Sequence, residues 1–373
     1  MRKVVLFVVF SLILLVSLQN CKPEPPVTPP PTDADSLYVG TPYSFVGISP
    51  PLFRFPSITT PYKDSLTLEG IELGRRLFYD KHLSSTGQMA CASCHKQEFA
   101  FSDAGNAKSA NVFGPTRRNA PSIENLLWSS KLFWDGRAGS LGDQAKDAFH
   151  GEQNMDIPNS ISYLKSDSTY TRLFRKAFGR PGDVTEEKIY LAVQQFMMTL
   201  ISSNSHFDKV QRGQESFTPS EASGYQLFLA SDRGDCLHCH QLGNSFLFTN
   251  NLFSNNGLDS VGSVNDYADK GRGEVSMNAN DYGKFRNSSL RNIELTAPYM
   301  HDGRYQTLDQ VINFYSDSIH NSGTVDPLMY VIVDHPDGHR NFSPQEHEDL
   351  KNFLKSLTDT VFTHNPAFGD PFQ

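Results

Sequence analysis

Two short cysteine motifs constrain this chain more than any other feature. Residues 91–95 read Cys-Ala-Ser-Cys-His, and residues 236–240 read Cys-Leu-His-Cys-His. Each is a C-x-x-C-H motif, the attachment signature of a c-type haem. Two thiols one turn apart can form thioethers with the two vinyl groups on one porphyrin edge, and the adjacent histidine can then bind the iron. The sequence therefore predicts two covalent haems, held by Cys91, Cys94, His95, Cys236, Cys239 and His240.

Other kinds of site also use paired cysteines. A zinc site built from C-x-x-C pairs normally separates the pairs by about 15–20 residues, whereas Cys94 and Cys236 are far apart in the sequence. A thioredoxin-like motif needs a βαβ context, which neither site has. Local disulfides are an alternative in an oxidising compartment, but they do not explain a histidine directly after both pairs. We interpret His238, inside the second motif, as a spacer.

Length and charge exclude several classes of protein. The chain has 373 residues, which suggests two domains. Hydrophobic residues make up 38% and charged residues 20%, so the chain is neither disordered nor a membrane bundle. Its formal net charge of −8 argues against a nucleic-acid partner, because nothing neutralises a run of phosphates.

The N-terminal segment is typical of an exported protein. Arg2 and Lys3 precede an apolar run at residues 4–18, so we predict a signal peptide over residues 1–20. Cys21 lies where a lipoprotein signal presents its lipidated cysteine, although an ordinary cleaved signal with a spare cysteine is an alternative. Residues 21–45 are interpreted as a tether, because six prolines fall within residues 22–36. The sequence therefore predicts a periplasmic protein, anchored to a membrane through lipidated Cys21.

Helical periodicity dominates the rest of the chain, and strand alternation is absent. Helices are predicted over 67–79 and 185–201, and capping signals at Thr218 and Ser343 predict two more. We expect a mainly α fold with long loops, in particular over residues 241–285. Two haem domains are predicted, over residues 46–210 and 211–373, with their boundary in the polar run near residues 205–217.

The motifs as a set resemble the bacterial dihaem cytochrome c peroxidase and MauG family. The resemblance covers roughly residues 45–360 and includes LGRRLFYD, RRNAPSIENL, FWDGRAGSLGDQA, TLISSNSHFD and LRNIELTAPYMHDGRYQTL. It implies two cytochrome c-like domains with a calcium ion between them. It also implies that the N-terminal haem reacts with peroxide and that the C-terminal haem stores electrons.

The resemblance assigns roles to individual residues. Trp134 matches the tryptophan that lies between the two haems, and Gln144 matches a glutamine in the pocket of the peroxide-reacting haem. Asn119, Thr296 and Pro298 match calcium contacts, and an amide with backbone carbonyls suits an ion that takes oxygen ligands. Read without the family, each of these residues has an ordinary structural interpretation.

The pocket of the N-terminal haem departs from the family in its acid. The family carries a glutamate ten positions after the matched glutamine, as a general acid and base. That position is Asn154 here, and Glu152 lies two residues earlier. Either a local shift brings Glu152 into the pocket, or the pocket lacks the usual acid.

The sequence also predicts an open distal face on the N-terminal haem. Some family members place a second histidine on this iron, from a loop soon after the first motif. Residues 96–133 contain no His, Met or Cys. We therefore expect His95 to be the one protein ligand of this iron, with His150 or Met155 as the alternatives.

The second iron is expected to have a tyrosine ligand opposite His240. The family's peroxidases supply a methionine twelve residues after the glycine of the HDG motif. That glycine is Gly303, and the matching position is Tyr315; MauG also has tyrosine there. The alternatives are the methionines at other positions, namely Met277, Met300 and Met329.

Three functions follow from these expectations. The first is a peroxidase that reduces hydrogen peroxide with electrons from a small cytochrome or cupredoxin. The second is a MauG-like oxidase of a protein or organic substrate. The third is a non-enzymatic dihaem electron carrier or redox sensor. The sequence does not decide between a monomer and a homodimer.

Overall fold

The structure is a computed structural model of the chain. It describes residues 40–45, 55–56, 66–179, 182–241, 246–321, 323–329 and 339–373. The predicted signal peptide, Cys21 and most of the predicted tether lie outside these residues. Within the described ranges, no helix is long and apolar enough to cross a membrane.

Helices dominate the described residues, and this confirms the prediction of a mainly α fold. They are α1 (Leu68–Tyr79), α2 (Cys91–Cys94), α3 (Leu141–Gly151), α4 (Ile157–Ser166), α5 (Ser168–Phe178), α6 (Glu186–Met198), α7 (His206–Gln211), α8 (Pro219–Leu229), α9 (Gly273–Ser276), α10 (Leu308–Asp317), α11 (Pro344–Lys355) and α12 (Thr360–Thr363). Two antiparallel ribbons pair β1 (Ala110–Asn111) with β2 (Gly114–Pro115) and β3 (Phe253–Ser254) with β4 (Phe285–Arg286).

Helices α1 and α6 form the centre of the N-terminal core. The side chain of Thr67 caps α1 by accepting a hydrogen bond from the Gly70 amide. Leu73 and Leu77 lie four residues apart on the buried face of α1. The two helices approach closely at Gly74, where an added Cβ would lie 1.9 Å from the carbonyl oxygen of Ala192. A glycine is therefore required at this crossing.

Helices α8 and α11 repeat this arrangement in the C-terminal core. Both helices begin with a capping box, at Thr218 for α8 and Ser343 for α11, as their sequences predict. An added Cβ at Gly224 would lie 2.0 Å from the carbonyl oxygen of Asp349. The two cores are thus organised by the same kind of close helix crossing.

Two features link the halves of the chain. Phe362 in α12 belongs to the N-terminal core, and its ring centre lies 5.6 Å from that of Phe101. The polar run 205–217 contains α7, in which Phe207 is fully buried in the C-terminal core. The division into 46–210 and 211–373 stays a prediction.

Candidate haem sites

The first cysteine motif forms one helical turn and its histidine is anchored by the backbone. Cys91 to Cys94 make up α2, and His95 follows as its C-cap residue. The Nδ1 atom of His95 lies 2.7 Å from the carbonyl oxygen of Phe101. Ala100 and Phe101 both have left-handed backbone conformations, with φ of 52° and 59°, which turn this carbonyl towards the ring. Burial lowers the pKa of His95, so the ring is neutral and its Nε2 atom is available to an iron.

The second motif has the same design. Cys236 to His238 form a single 3₁₀ turn. The Nδ1 atom of His240 lies 3.3 Å from the carbonyl oxygen of Phe248 and 3.1 Å from that of Ser288. Burial lowers the pKa of His240 to about 4, which keeps this imidazole neutral. His238 instead contacts the carboxylate of Asp235 and is half exposed.

The described residues do not support the other interpretations of the cysteines. The thiols of Cys91, Cys94, Cys236 and Cys239 are all free, so neither motif forms a local disulfide. Over the same described ranges, no group of three or more His, Cys, Asp or Glu side chains could hold a metal ion. Both motifs therefore have the thiols and the histidine that haem attachment needs.

Each motif opens into a cavity whose walls suit a haem. The first cavity is lined by Cys94 and His95, and the second by Cys236, Cys239 and His240. Each wall carries buried polar atoms with no hydrogen-bond partner among the described residues. These are Oγ of Ser109 and Oε1 of Gln144 in the first cavity, and Nε of Arg286 and Oγ of Ser288 in the second. Buried polar groups are normally satisfied, so these atoms fit a cavity that a polar ligand completes.

One face of α3 brings the predicted distal residues into the first cavity. Gln144, Ala148 and Glu152 are spaced by four and line this cavity together. The Oε2 atom of Glu152 accepts a hydrogen bond of 2.8 Å from Nδ2 of Asn111. Asn154 lies outside the cavity: it is exposed, and its Nδ2 donates to Ser85 at 3.4 Å. Of positions 152 and 154, the one that lines the cavity is therefore Glu152; the other carboxylate there, Asp135, is bonded to Arg118 and Arg137.

The alternative ligands of the first iron lie elsewhere. His150 is exposed, and its Nε2 atom lies 2.8 Å from Glu186. Met155 is buried in the N-terminal core. Among the described residues, His95 is the only histidine that lines the first cavity, and no methionine lines it.

Trp134 lies in the wall that the two cavities share. Its Nε1 atom donates a hydrogen bond of 2.9 Å to the carbonyl of Asn119, and its own carbonyl accepts one of 2.8 Å from the amide of Arg286. The segment Asn119–Ser122, Trp134 and Arg286 line both cavities. Trp134 therefore borders both cavities, and the role that the resemblance implies for it stays a prediction.

Tyr315 lines the second cavity together with His240. Its hydroxyl oxygen accepts a hydrogen bond of 3.0 Å from Nδ2 of Asn256, and burial raises its pKa to about 12. Met300 and Met329 line the same cavity, so both remain alternatives to Tyr315. Met277 does not, since 84% of its side chain is exposed.

The three predicted calcium contacts come together from distant parts of the chain. The side-chain amide of Asn119 contacts the carbonyl oxygen of Pro298, and Thr296 lies two residues before it. All three residues line the second cavity. A rotation of the amide by half a turn would present Oδ1 beside the Pro298 carbonyl, and amide and carbonyl oxygens are ligand types that calcium accepts.

Several polar residues of the second cavity have no counterpart in the predictions. They include Glu124 and Arg286, which are buried, and Asn256, which is partly buried. The sequence around them contains no metal-binding spacing or paired-acid pattern. Their positions depend on contacts between distant segments, which local patterns do not encode.

Comparison with known proteins places this arrangement in a family. Residues 68–216 match the family described as di-haem cytochrome c peroxidase. MauG of Methylophilus methylotrophus, described as a methylamine utilization protein, is 34% identical over 315 residues, which cover 82% of this chain and 87% of that protein. The chain belongs to the di-haem cytochrome c peroxidase family. The resemblance stated from the sequence is thereby confirmed.

Two further members of the di-haem peroxidase family extend the comparison. The cytochrome c551 peroxidase of Nitrosomonas europaea is 29% identical over 333 residues, which cover 87% of this chain and 89% of that protein. The crystal structure of a MauG-like protein associated with microbial copper homeostasis aligns with a TM-score of 0.77 and 31% identity, covering 89% of this chain and all of that one. Membership in this family implies two c-type haems and an oxidoreductase of the peroxidase or oxidase type.

Proposed function

We propose that this protein is a dihaem peroxidase that reduces hydrogen peroxide to water at the haem of His95. The observation that carries the proposal is the composition of the first cavity. Gln144 and Glu152 line it, and among the described residues no methionine and no second histidine does. A haem held by His95 would therefore leave room for a small oxidant in this cavity, and Glu152 would supply a proton-transferring group.

The side chains of the first cavity have distinct tasks. The haem supplies a metal that binds an oxygen ligand and passes electrons. The amide of Gln144, whose Oε1 has no partner among the described residues, orients bound peroxide. The carboxylate of Glu152 accepts a proton from the peroxide oxygen near the iron and returns it to the departing oxygen. Two electrons and two further protons complete the conversion of one peroxide to two waters.

A MauG-like oxidation is the second candidate function, and Tyr315 favours it. A thioether ligand is soft and favours ferrous iron, whereas a phenolate is hard and anionic and favours oxidised iron. If Tyr315 binds the second iron, that haem is a poor high-potential store but a good partner for sharing oxidising equivalents. Trp134, in the shared wall, lies between the two cavities that would share them.

The remaining assignments extend the same proposal. A small periplasmic cytochrome or cupredoxin supplies the electrons, and calcium binds at Asn119, Thr296 and Pro298, where segments from both halves of the chain meet. The protein is exported, and lipidated Cys21 tethers it to a membrane. The homology to peroxidases and the sequence of the N-terminal segment support these assignments.

Ferric absorption spectra with and without peroxide, followed by turnover with a panel of reduced donors, test the proposal. We expect one haem with an open position, a spectral response to peroxide, and peroxide-dependent oxidation of a donor. Turnover of an organic or protein substrate without donor oxidation would favour the MauG-like reaction. A fully low-spin spectrum that peroxide leaves unchanged would leave the electron carrier as the function.

A further inference from the structure

A buried carboxyl group lies beside the second cavity and has no role in the proposed reaction. Glu124 is only 4% exposed and lines this cavity. Its hydrogen-bond partner is the hydroxyl of Ser122. That hydroxyl also lies 2.5 Å from the carbonyl oxygen of Ala100. Glu124 is thus part of a short chain of hydrogen bonds rather than an ion pair.

The hydrogen bonds of the Ser122 hydroxyl depend on whether the carboxyl group of Glu124 is protonated. A serine hydroxyl carries one hydrogen and can donate it once. If Ser122 donates to Ala100, the bond to Glu124 requires the carboxyl group to be protonated and to donate. If Glu124 is ionised, Ser122 must turn to it and leave the Ala100 carbonyl. Both bonds are satisfied only by the neutral acid, so the protonation state of Glu124 decides the arrangement.

The backbone around Glu124 keeps this carboxyl inside the protein. The amide of Asn125 donates to the carbonyl of Leu200 at 2.8 Å, and its side chain exchanges hydrogen bonds of 3.0 and 3.1 Å with the backbone of Ser202. The backbone next to Glu124 is therefore fixed, and the carboxyl group is buried in the native arrangement.

The charged groups that act on Glu124 are two arginines. Arg291 is committed to Asp208 by hydrogen bonds of 2.7 and 2.9 Å, and Asp359 also acts on Arg291. Arg286 is 7% exposed, and its Nε atom has no partner in the described part of the chain. Burial raises the pKa of Glu124 to about 7, against the opposing effects of Ser122 and Arg291. Other ionisable side chains that line this cavity are Asp235, His301 and Arg340, and a bound haem would add its propionates.

Glu124 is also connected to both haem positions. Its carboxyl lines the cavity of His240, and Ser122 lines both cavities. The carbonyl that Ser122 contacts belongs to Ala100, and the next carbonyl, of Phe101, holds His95. A change of charge on either iron therefore acts on this acid through a low-dielectric interior.

We propose that Glu124 is the proton acceptor coupled to reduction of the haem held by His240. One electron from the donor reduces ferric to ferrous iron, and one proton from solvent converts the Glu124 carboxylate to the acid, so the charge in the cavity is unchanged. Oxidation reverses both transfers. The proposal rests on the two haems of the family and not on which oxidant the enzyme uses.

Spectroelectrochemical titration of both haems in the holoprotein, between pH 5.5 and 8.5, tests this proposal. A one-electron couple that takes up one proton shifts by about 59 mV for each tenfold change in proton concentration. We expect the potential of the His240 haem to fall with rising pH near neutrality, with a slope approaching that value. Glu124→Gln keeps the size and the hydrogen bond but cannot titrate, so its slope should vanish. Glu124→Asp should retain a slope, and so should Glu187→Gln, which removes an exposed carboxylate from α6.

Infrared difference spectra, reduced minus oxidised, provide a second readout. The wild type should gain a protonated-carboxyl band on reduction that Glu124→Gln lacks. An unchanged pH slope in Glu124→Gln would assign the proton to a haem propionate and overturn the proposal. The proposal would also be overturned if Glu124→Gln removed the pH dependence of the reduction potential from the His95 haem alone. Neither measurement uses peroxide, so failure of the proposed peroxidase activity is detected separately.

Discussion

At the scale of single residues, the two cavities differ in what faces the iron. The first is lined by Gln144 and Glu152, whereas the second contains Tyr315 together with Met300 and Met329. Two haems in these different environments can have different functions, because one iron can bind an external ligand while the other keeps a protein ligand. Which side chain binds the second iron decides how strongly that haem holds its electron.

Replacing Tyr315 by Phe tests the assignment of the second iron. The variant removes the hydroxyl oxygen but keeps the ring, so the near-infrared bands of the ferric second haem should change and its reduction potential should rise. Met277→Leu, at an exposed position, is the matched control and should leave both unchanged. A His/Met charge-transfer band in the wild type would show that a methionine is the ligand.

Replacing Glu152 by Gln tests the acid of the first cavity. Loss of a general acid and base typically costs a factor of about 10² to 10⁴, so peroxide turnover should fall in that range while the haem spectra stay unchanged. Adding Asn154→Asp to this variant should not restore activity, because residue 154 points away from the cavity. Restored turnover would identify position 154 as the functional one.

At the scale of elements, the sequence predicted the helices best where the signals are local. The starts of α8 and α11 follow from their capping boxes, and the observed α1 and α6 agree with the predicted spans to within a few residues. Helix α7 was not predicted, because few residues of this polar run are apolar and the burial of Phe207 depends on aromatic side chains that are distant in the sequence. The burial of Glu124 beside the second cavity was not predicted for the same reason, since it depends on contacts between distant segments.

The two helix crossings predict matched effects of Gly→Ala substitutions. A methyl group at Gly74 or Gly224 would overlap a carbonyl oxygen of the partner helix, and overpacking typically costs about 1–3 kcal/mol. Both variants should lower the midpoint of thermal unfolding. Gly139→Ala has open space around the added methyl group. Its midpoint of thermal unfolding should stay within about two degrees of the wild-type value. Equal stability of all three variants would mean that the helices can separate at no cost.

At the scale of the whole molecule, buried charge links segments that are distant in sequence. Arg291 is fully buried and forms a two-pronged ion pair with Asp208 of α7, at 2.7 and 2.9 Å. At the interface between the two halves, the guanidinium of Arg118 donates hydrogen bonds to the carboxylates of both Asp135 and Asp269. The halves are therefore connected by oriented charges as well as by apolar contacts.

Replacing Asp208 by Asn should destabilise the protein strongly at neutral pH. Removing one partner of a buried ion pair costs about 3–5 kcal/mol. Burial would raise the pKa of Asp208, but Arg291 and Ser205 outweigh it and hold the pKa below its ordinary value. The contribution is therefore complete above the pKa of an unfolded aspartate, about 3.9, and is lost as the pH falls towards the folded value. In urea unfolding, the difference in free energy of unfolding between the wild type and Asp208→Asn should become smaller below about pH 4.

Removing calcium should loosen the junction of the two halves. Asn119 and Pro298, which are in contact, lie 179 residues apart, so an ion bound there stabilises a long-range contact that an unfolded chain lacks. Metal analysis should find calcium in the purified protein, and chelation should lower its unfolding temperature and perturb the haem spectra. Asn119→Ala should reproduce the effect of the chelator. Protein that contains no calcium and is indifferent to chelation would contradict the site.

The shared wall between the cavities also constrains how the protein is made. Segment 119–122 and residue Arg286 contribute to both cavities, although they come from opposite halves of the chain. Once these walls have met, Cys94 borders the first cavity and Cys236 and Cys239 border the second. We therefore expect haem attachment to precede the meeting of these walls, because both cavities are complete only when the two halves of the chain are joined. Haems held by thioether bonds could not be exchanged after folding, so damage to either haem would inactivate the protein.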